Sequence, residues 1–255
     1  MHGFLRLLTP DSAVPTTLYP SPNHGERKRG LTANAILLHY TGLATSEAAL
    51  RQLCDPVAEV SSHYLVDKAG GLYQLVPETR RAWHAGQGCW AGETDMNDVS
   101  IGIEICNPGH KGGSPDYPPE QIATVIALCQ DIISRWGVVP HRVLGHSDVS
   151  PHRKIDPGEF FPWATLAEAG VGHYVPPHPI EDGPRHGPGD EGSGVKAVQS
   201  LFADYGYGLN VSGAYDEETE SIVRAFQRHF RPALVDGVAD VSTLETLRAL
   251  IAAQR

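Results

Sequence analysis

The stretch NAILLHYTG, residues 34–42, decides the fold of this chain. Its apolar run AILL is bounded by polar and turn-forming residues, which is the pattern of a buried strand. His39 follows that run, at the point where a strand meets a loop and a side chain can project into a site. The first domain therefore begins here, with a chemically versatile residue at the end of its first strand.

Strands and helices alternate beyond this stretch. The predicted elements are a helix at residues 46–54 capped by Thr45 or Ser46, a hairpin at 61–77, a strand at 99–107, and a long amphipathic helix from Pro119 to Gly137. This alternation predicts an α/β or α+β domain.

The C-terminal third has a different pattern. Residues 173–192 hold five prolines and four glycines, which predicts a linker. Apolar residues then recur at helical spacing in three groups, and Asp216 and Asp240 stand where the second and third helices should begin. A three-helix module of this length is more suited to binding than to chemistry. The predicted boundaries are an N-terminal extension at 1–33, a first domain at 34–172, the linker at 173–192, and the module at 193–255.

Composition excludes several partners. The formal net charge of -10 argues against nucleic acid or anionic lipid, because both require a basic face. The start, MHGFLRLLTP, carries one short apolar patch interrupted by Arg6, too little for a signal peptide or a membrane span. The protein then stays inside the cell, leaves by an unusual route, or starts further upstream. Four cysteines are spaced too widely for a zinc ribbon, so buried free thiols are favoured over one or two disulfides: Cys54, Cys89, Cys106 and Cys129.

Two histidines and one aspartate form a candidate metal site. His146 follows Val143, Leu144 and Gly145 as His39 follows its own strand, and Asp156 adds a carboxylate. Two imidazoles and one carboxylate would leave a fourth zinc position for water, as in catalytic zinc sites. The alternative is a pair of hydrogen-bonded core histidines, since distant ligands form no self-sufficient motif. Histidines in loops are predicted to be solvent-exposed: His24, His110, His173, His178 and His186.

Two charged residues flank this candidate site. Pro157 favours an extended Asp156, so Lys154 points to the same side as Asp156, either toward a charge that develops during a reaction or into a surface ion pair. In the strand at 99–107 the isoleucines share one face, so Glu104 lies on the other. There it either accepts a proton from a metal-bound water or remains a solvated acid.

Several motifs in order resemble the zinc-dependent N-acetylmuramoyl-L-alanine amidases of the Amidase_2 family, relatives of AmpD, AmiD and the peptidoglycan recognition proteins. The motifs span residues 34–172 and are HYTG, SSHYLVDKAGGLYQLVPETRRAWHAG, NDVSIGIEICN and GHSDVSPHRKIDPG. The stretches AVQSLF, DEETESIVRAFQRHF and DGVADVSTLETL resemble the peptidoglycan-binding module that often accompanies these enzymes.

The resemblance implies a mixed central β-sheet flanked by helices, with a small C-terminal three-helix domain. It also implies one zinc ion per chain, bound by His39, His146 and Asp156, with Glu104 as general base and Lys154 steadying the oxyanion. By the same resemblance three residues border the substrate groove, although Trp83 suits a core position and His84 a hydrogen-bonding brace equally well: Trp83, His84 and Asn97.

The implied reaction is hydrolysis of the amide bond between N-acetylmuramic acid and L-alanine in peptidoglycan or muropeptides, by a monomer at the periplasm or cell envelope. One alternative is a catalytically inactive peptidoglycan-recognition protein. Another is a cytosolic recycling amidase that acts on anhydro-muropeptides, which the lack of a visible signal peptide favours and the wall-binding module opposes.

Overall fold

The computed structural model describes residues 9–28 and 32–254. The first eight residues, on which the prediction about an export signal depends, lie outside the described residues, as do residues 29–31 of the predicted N-terminal extension and residue 255. The strands are β1 (Thr16–Leu18), β2 (His24–Glu26), β3 (Ala35–Tyr40), β4 (Tyr64–Val66), β5 (Leu72–Gln74), β6 (Arg80–Ala82), β7 (Ser100–Ile105) and β8 (Val143–Gly145). The helices are α1 (Ser46–Cys54), α2 (Met96–Val99), α3 (Pro119–Trp136), α4 (His146–Val149), α5 (Trp163–Glu168), α6 (Ser193–Tyr205), α7 (Glu217–Phe230) and α8 (Val241–Ala253).

The predicted mixed sheet is confirmed. Six strands form it in the order β1-β5-β4-β7-β3-β8, with β4 and β5 antiparallel and the other neighbours parallel. Strands β2 and β6 form a separate antiparallel pair. Strand β1 comes from the predicted N-terminal extension and forms an edge of the sheet, while the domain boundaries themselves stay predictions.

The register of the central strands positions the candidate site. His39 of β3 lies beside Glu104 of β7, and Leu38 lies beside Gly145 of β8. Because directly paired residues of parallel strands share a face, His39 and Glu104 point to the same side of the sheet. His146 follows Gly145, so it enters the site beside His39.

Helix α3 covers the opposite face of the sheet. It begins at Pro119 and ends at Trp136, followed by Gly137, whose φ of 67° is the left-handed conformation that glycine adopts without strain. The isoleucines of β7 are fully buried in the cluster that α3 helps to form. This layer leaves the other face of β3 and β7 free to form a cleft.

The three predicted C-terminal helices are present. The side chains of Asp216 and Asp240 accept hydrogen bonds from the backbone N–H groups of Thr219 and Thr243, which caps α7 and α8 as expected. These helices do not enclose a separate core, however, because their apolar residues form one cluster with residues of the sheet region such as Trp90 and Leu144.

The four cysteines are not paired with one another. Cys106 and Cys129 are buried, as predicted, whereas Cys54 and Cys89 are partly exposed. Across residues 9–28 and 32–254, every helix is too short or too polar to cross a membrane.

Candidate metal centre and catalytic cleft

His39, His146 and Asp156 converge at the ends of β3 and β8. The two Nδ1 atoms are 2.9 Å apart, and Oδ2 of Asp156 lies 3.1 Å from Nδ1 of His39 and 3.0 Å from Nδ1 of His146. All three residues are buried. The sequence spacing alone left this convergence open, and the group could hold one metal ion.

The hydrogen bonding of His146 indicates a bound cation rather than an ordinary core histidine. Nε2 of His146 lies 2.9 Å from the carbonyl oxygen of Ala85, so it must be the protonated, donating nitrogen. In the neutral ring Nδ1 then carries a lone pair, which faces the carboxylate oxygen of Asp156. Two lone pairs at 3.0 Å repel each other unless a positive charge lies between them.

The charge states of the group agree with metal binding. Burial, together with the neighbouring His146, lowers the pKa of His39 to about 4. Burial alone would raise the pKa of Asp156, but His146 and His39 outweigh it and hold that pKa below its usual value. A neutral imidazole and an ionised carboxylate are the forms that ligate metals.

His84 contacts Nε2 of His39, the ring nitrogen that does not face His146 and Asp156. Its Nδ1 lies 3.0 Å from Nε2 of His39, and its Nε2 lies 3.4 Å from Oγ of Ser100. Burial and the neighbouring His39 hold the pKa of His84 well below its usual value, so its ring is neutral and its Nδ1 can accept a hydrogen bond from the Nε2–H of His39. Gly102 makes room for this ring, since a Cβ at Gly102 would lie 2.5 Å from Cγ of His84.

Asn97 fixes the backbone of the AWHAG segment. Its Oδ1 accepts hydrogen bonds from the backbone N–H groups of His84 at 3.0 Å and Ala85 at 2.7 Å. The carbonyl of Ala85 in turn accepts a hydrogen bond from His146, and the ring of His84 contacts His39. Asn97 therefore helps to orient both His39 and His146.

Two adjoining cavities open at the group. One of about 240 Å³ is lined by the three converging residues together with Glu104 and Lys154, and its neighbour of about 330 Å³ is lined by Asn97 and also by Lys154. Trp83 and His84 line both cavities. Trp83 is half-buried and lies outside the hydrophobic clusters of the described residues, so the cleft position is favoured over the core alternative.

Glu104 and Lys154 face the first cavity without strong partners. Within the described part of the chain, the buried Oε2 atom of Glu104 has no hydrogen-bond partner, and Lys154 forms no ion pair. The surface ion pair considered for Lys154 is therefore absent there. Burial and the nearby Asp156 raise the pKa of Glu104 well above its usual value, while Lys154 acts in the opposite direction.

Sequence reasoning missed other residues of the cleft. Tyr40 lines the first cavity, and its hydroxyl lies 3.2 Å from Nδ1 of His110, a histidine predicted to be solvent-exposed. Nε2 of His110 lies 3.0 Å from Glu159. Nothing in the sequence near His110 indicates this contact, because its partners lie on other segments.

Comparison with known proteins gives consistent matches. The sequence model of the N-acetylmuramoyl-L-alanine amidase family Amidase_2 matches residues 29–159, and a peptidoglycan binding domain model matches residues 191–247. The N-acetylmuramoyl-L-alanine amidase AmiD of Escherichia coli is 37% identical over 232 residues, which cover 85% of this chain and 81% of AmiD.

Two solved structures share the fold over most of the chain. One is AmiD of Escherichia coli in complex with the substrate anhydro-N-acetylmuramic acid-L-Ala-D-gamma-Glu-L-Lys, with a TM-score of 0.75, 36% identity and coverage of 87% of this chain and 89% of that one. The other is AmpDh3 of Pseudomonas aeruginosa in complex with anhydromuramic pentapeptide, with a TM-score of 0.72, 31% identity and coverage of 97% and 99%.

The resemblance inferred from the motifs is thus confirmed over both parts of the chain. The relatives named above carry the names of amidases. The chain belongs to the Amidase_2 family and is an N-acetylmuramoyl-L-alanine amidase.

Proposed function

We propose that this amidase uses one zinc ion, held by Nδ1 of His39, Nδ1 of His146 and a carboxylate oxygen of Asp156. The observation that carries the proposal is the convergence of these three donors in the same cavity as an oxygen of Glu104 that has no hydrogen-bond partner among the described residues. Two imidazoles and a carboxylate form a donor set typical of catalytic zinc. Zinc bound there would supply a Lewis acid that polarises the scissile carbonyl and acidifies water.

Glu104 acts as the general base. Its unpaired Oε2 can accept a proton from the attacking water and then donate it to the leaving amine of L-alanine. Burial raises the pKa of this carboxyl, which favours holding the proton until the amine leaves, and Lys154 lowers it, which favours the ionised form that accepts the proton.

Lys154 stabilises the oxyanion. The carboxylates of Asp156 and Glu104 would together balance a divalent cation, and the ammonium group of Lys154 leaves the cavity with an excess of positive charge. An anionic tetrahedral intermediate is favoured there over the neutral amide. The lack of an ion-pair partner for Lys154 among the described residues keeps its charge available.

The substrate occupies the groove formed by the two cavities. Trp83, which lines both, offers an apolar face to the sugar or peptide. We assign His84 and Asn97 to the wall of the same groove. Their polar atoms bind other parts of the protein, so they contribute to substrate binding by shaping that wall.

The proposed substrate is peptidoglycan or fragments of it, at the cell envelope. The match of residues 191–247 to a peptidoglycan binding domain supports attachment to the polymer. The second candidate is a cytosolic recycling amidase that acts on soluble anhydro-muropeptides, and the anhydro ligands of AmiD and AmpDh3 support that substrate without indicating a location. We propose a monomer, because the metal ligands, the base and the cavities all come from one chain.

The test combines metal analysis with product masses. Purified protein should contain one zinc ion, and Glu104→Ala should keep it while losing release of peptides from purified sacculi. Glu168→Ala, which removes an exposed carboxylate, serves as the matched control. Unimpaired release by Glu104→Ala would refute the base assignment. Rates on sacculi and on an anhydro-muropeptide, compared side by side, separate the two candidate substrates.

A further inference from the structure

Asp148 is a buried carboxylate next to the proposed metal centre. It lies in α4, the short helix that begins with His146, and its side chain is 0% exposed. Its Oδ2 accepts a hydrogen bond of 2.7 Å from the backbone N–H of Gly145, the residue that precedes His146. A carboxylate this deeply buried needs further donors to offset the loss of its water.

Both further donors come from the C-terminal helical region. The hydroxyl of Tyr207, just after α6, donates to Oδ1 of Asp148 at 2.9 Å. Nδ1 of His229, in α7, donates to Oδ2 at 2.8 Å. The ring of His229 is stacked between Trp163, at a centroid distance of 3.6 Å, and Phe230, at 3.8 Å. His229 is therefore held by packing as well as by its hydrogen bond.

The surrounding interface is tight. The rings of Tyr205 and Tyr207 pack edge-on against the fully buried Trp90, and the backbone N–H of Ala91 donates to the carbonyl of Gly206 at 2.7 Å. A Cβ at Gly206 would lie 2.9 Å from Trp90. Such close packing transmits a shift of the C-terminal helices to the residues around α4.

We propose that Tyr207 and His229 are positioning residues for the metal ligand His146, and that they act through Asp148. The C-terminal helices would then complete the metal centre as well as hold the enzyme on the wall. This inference rests on the proposed function, since it takes His146 as a zinc ligand. The physical reason is that Asp148 fixes the backbone N–H of Gly145, the residue directly before His146, so the direction of that imidazole depends on where Asp148 is held.

Truncation of the chain distinguishes this arrangement from a binding module that is only tethered to the enzyme. Among the described residues, removal of residues 173–255 would leave the carboxylate of Asp148 with its bond to Gly145 alone, and it would uncover Trp90 and Trp163. We expect the truncated chain to lose metal affinity or to fail to fold, rather than to behave as an untethered but active enzyme.

Two tyrosines of the same interface provide a matched test. Tyr207→Phe removes the hydroxyl that donates to Asp148, whereas Tyr205→Phe removes a hydroxyl whose hydrogen bond goes to His173. Affinity for Zn²⁺ and Co²⁺ is measured in the full chain by competition with a chelator, together with the visible spectrum of the Co²⁺ form. We expect Tyr207→Phe to weaken metal binding about tenfold, the lower end for outer-shell partners, and to change the Co²⁺ spectrum. Tyr205→Phe should stay within about twofold of the unmodified protein.

A second variant tests whether the effect of Tyr207→Phe on metal binding comes from lost stability alone. His229→Phe keeps a ring between Trp163 and Phe230 but removes the donor to Asp148, so it should weaken metal binding as Tyr207→Phe does. On a soluble muropeptide both variants should lower kcat more than they change KM. Equal metal affinity in Tyr207→Phe and Tyr205→Phe, or unchanged affinity in His229→Phe, overturns the proposal.

The controls distinguish the two levels of inference. An unmodified protein that binds no zinc or cobalt refutes the proposed function and this inference with it. An unmodified protein that binds zinc and cleaves muropeptides, with a Tyr207→Phe variant that does the same at equal affinity, refutes only the positioning role.

Discussion

Two glutamates on different segments of the molecule, the buried Glu78 and the partly buried Glu104, have opposite surroundings. Glu78 receives hydrogen bonds from the hydroxyl of Tyr64 at 2.7 Å, from the indole of Trp136 at 2.5 Å and from both terminal nitrogens of Arg135. Glu104 faces the cleft, where its buried Oε2 has no partner among the described residues. Both carboxylates have a buried oxygen, yet the hydrogen bonds of Glu78 are all made and, among the described residues, those of Glu104 are not.

This difference distinguishes a structural carboxylate from a reactive one. A carboxylate with every lone pair satisfied ties elements together, here β4 and the end of α3, and has no capacity left to react. An unsatisfied one costs stability and persists where it is needed for a reaction. The bonding of a buried acid therefore indicates its role more reliably than its burial does.

The largest expected effect is on turnover in the cleft. Lys154→Met should lower kcat by about 100-fold to 1,000-fold, the usual cost of losing one oxyanion contact, and should leave bound zinc in place. Steady-state kinetics on a soluble muropeptide with parallel metal analysis measure this, with the exposed Lys111→Met as control. Normal turnover by Lys154→Met would remove the oxyanion role from that residue.

A smaller effect, on the free energy of unfolding, is expected from a substitution of Glu78. Glu78→Gln should lower the free energy of unfolding by about 3 kcal/mol, because it leaves the Arg135 and Trp136 donors poorly paired. Urea unfolding measures this change, and kcat of the folded fraction should be unaltered. A fall in kcat without loss of stability would mean that this network acts on the site, contrary to the comparison.

The smallest expected effect is a gain in stability, caused by a substitution of Glu104. Burial and Asp156 raise the pKa of Glu104, so the folded, metal-free protein keeps a proton that the unfolded chain releases above a pKa of about 4.3. Stability then falls as the pH rises through that range, and Glu104→Gln should remove the loss. We expect the Tm of metal-free Glu104→Gln to exceed that of the unmodified protein by a few degrees near neutral pH and to equal it near pH 4. Equal Tm at both pH values would show that this carboxylate is not destabilising.

Local signals in the sequence were sufficient for most of the elements. The caps at Thr45, Asp216 and Asp240 and the stop at Gly137 lie where predicted, since capping depends on residues within one helical turn. The motifs also identified the family. The roles of the eight predicted site residues stay predictions. Asn97 lines the second cavity, and the other seven line the first: His39, Trp83, His84, Glu104, His146, Lys154 and Asp156.

The sequence by itself determined the elements, their caps and the residue types available for chemistry, because periodicity and capping act over a few residues. Only the tertiary structure decided which distant residues meet. It aligned His39 with Glu104 across two strands, and it brought Tyr207 and His229 to Asp148 from 59 and 81 residues away. Such contacts depend on how whole layers pack, and no local pattern encodes that packing.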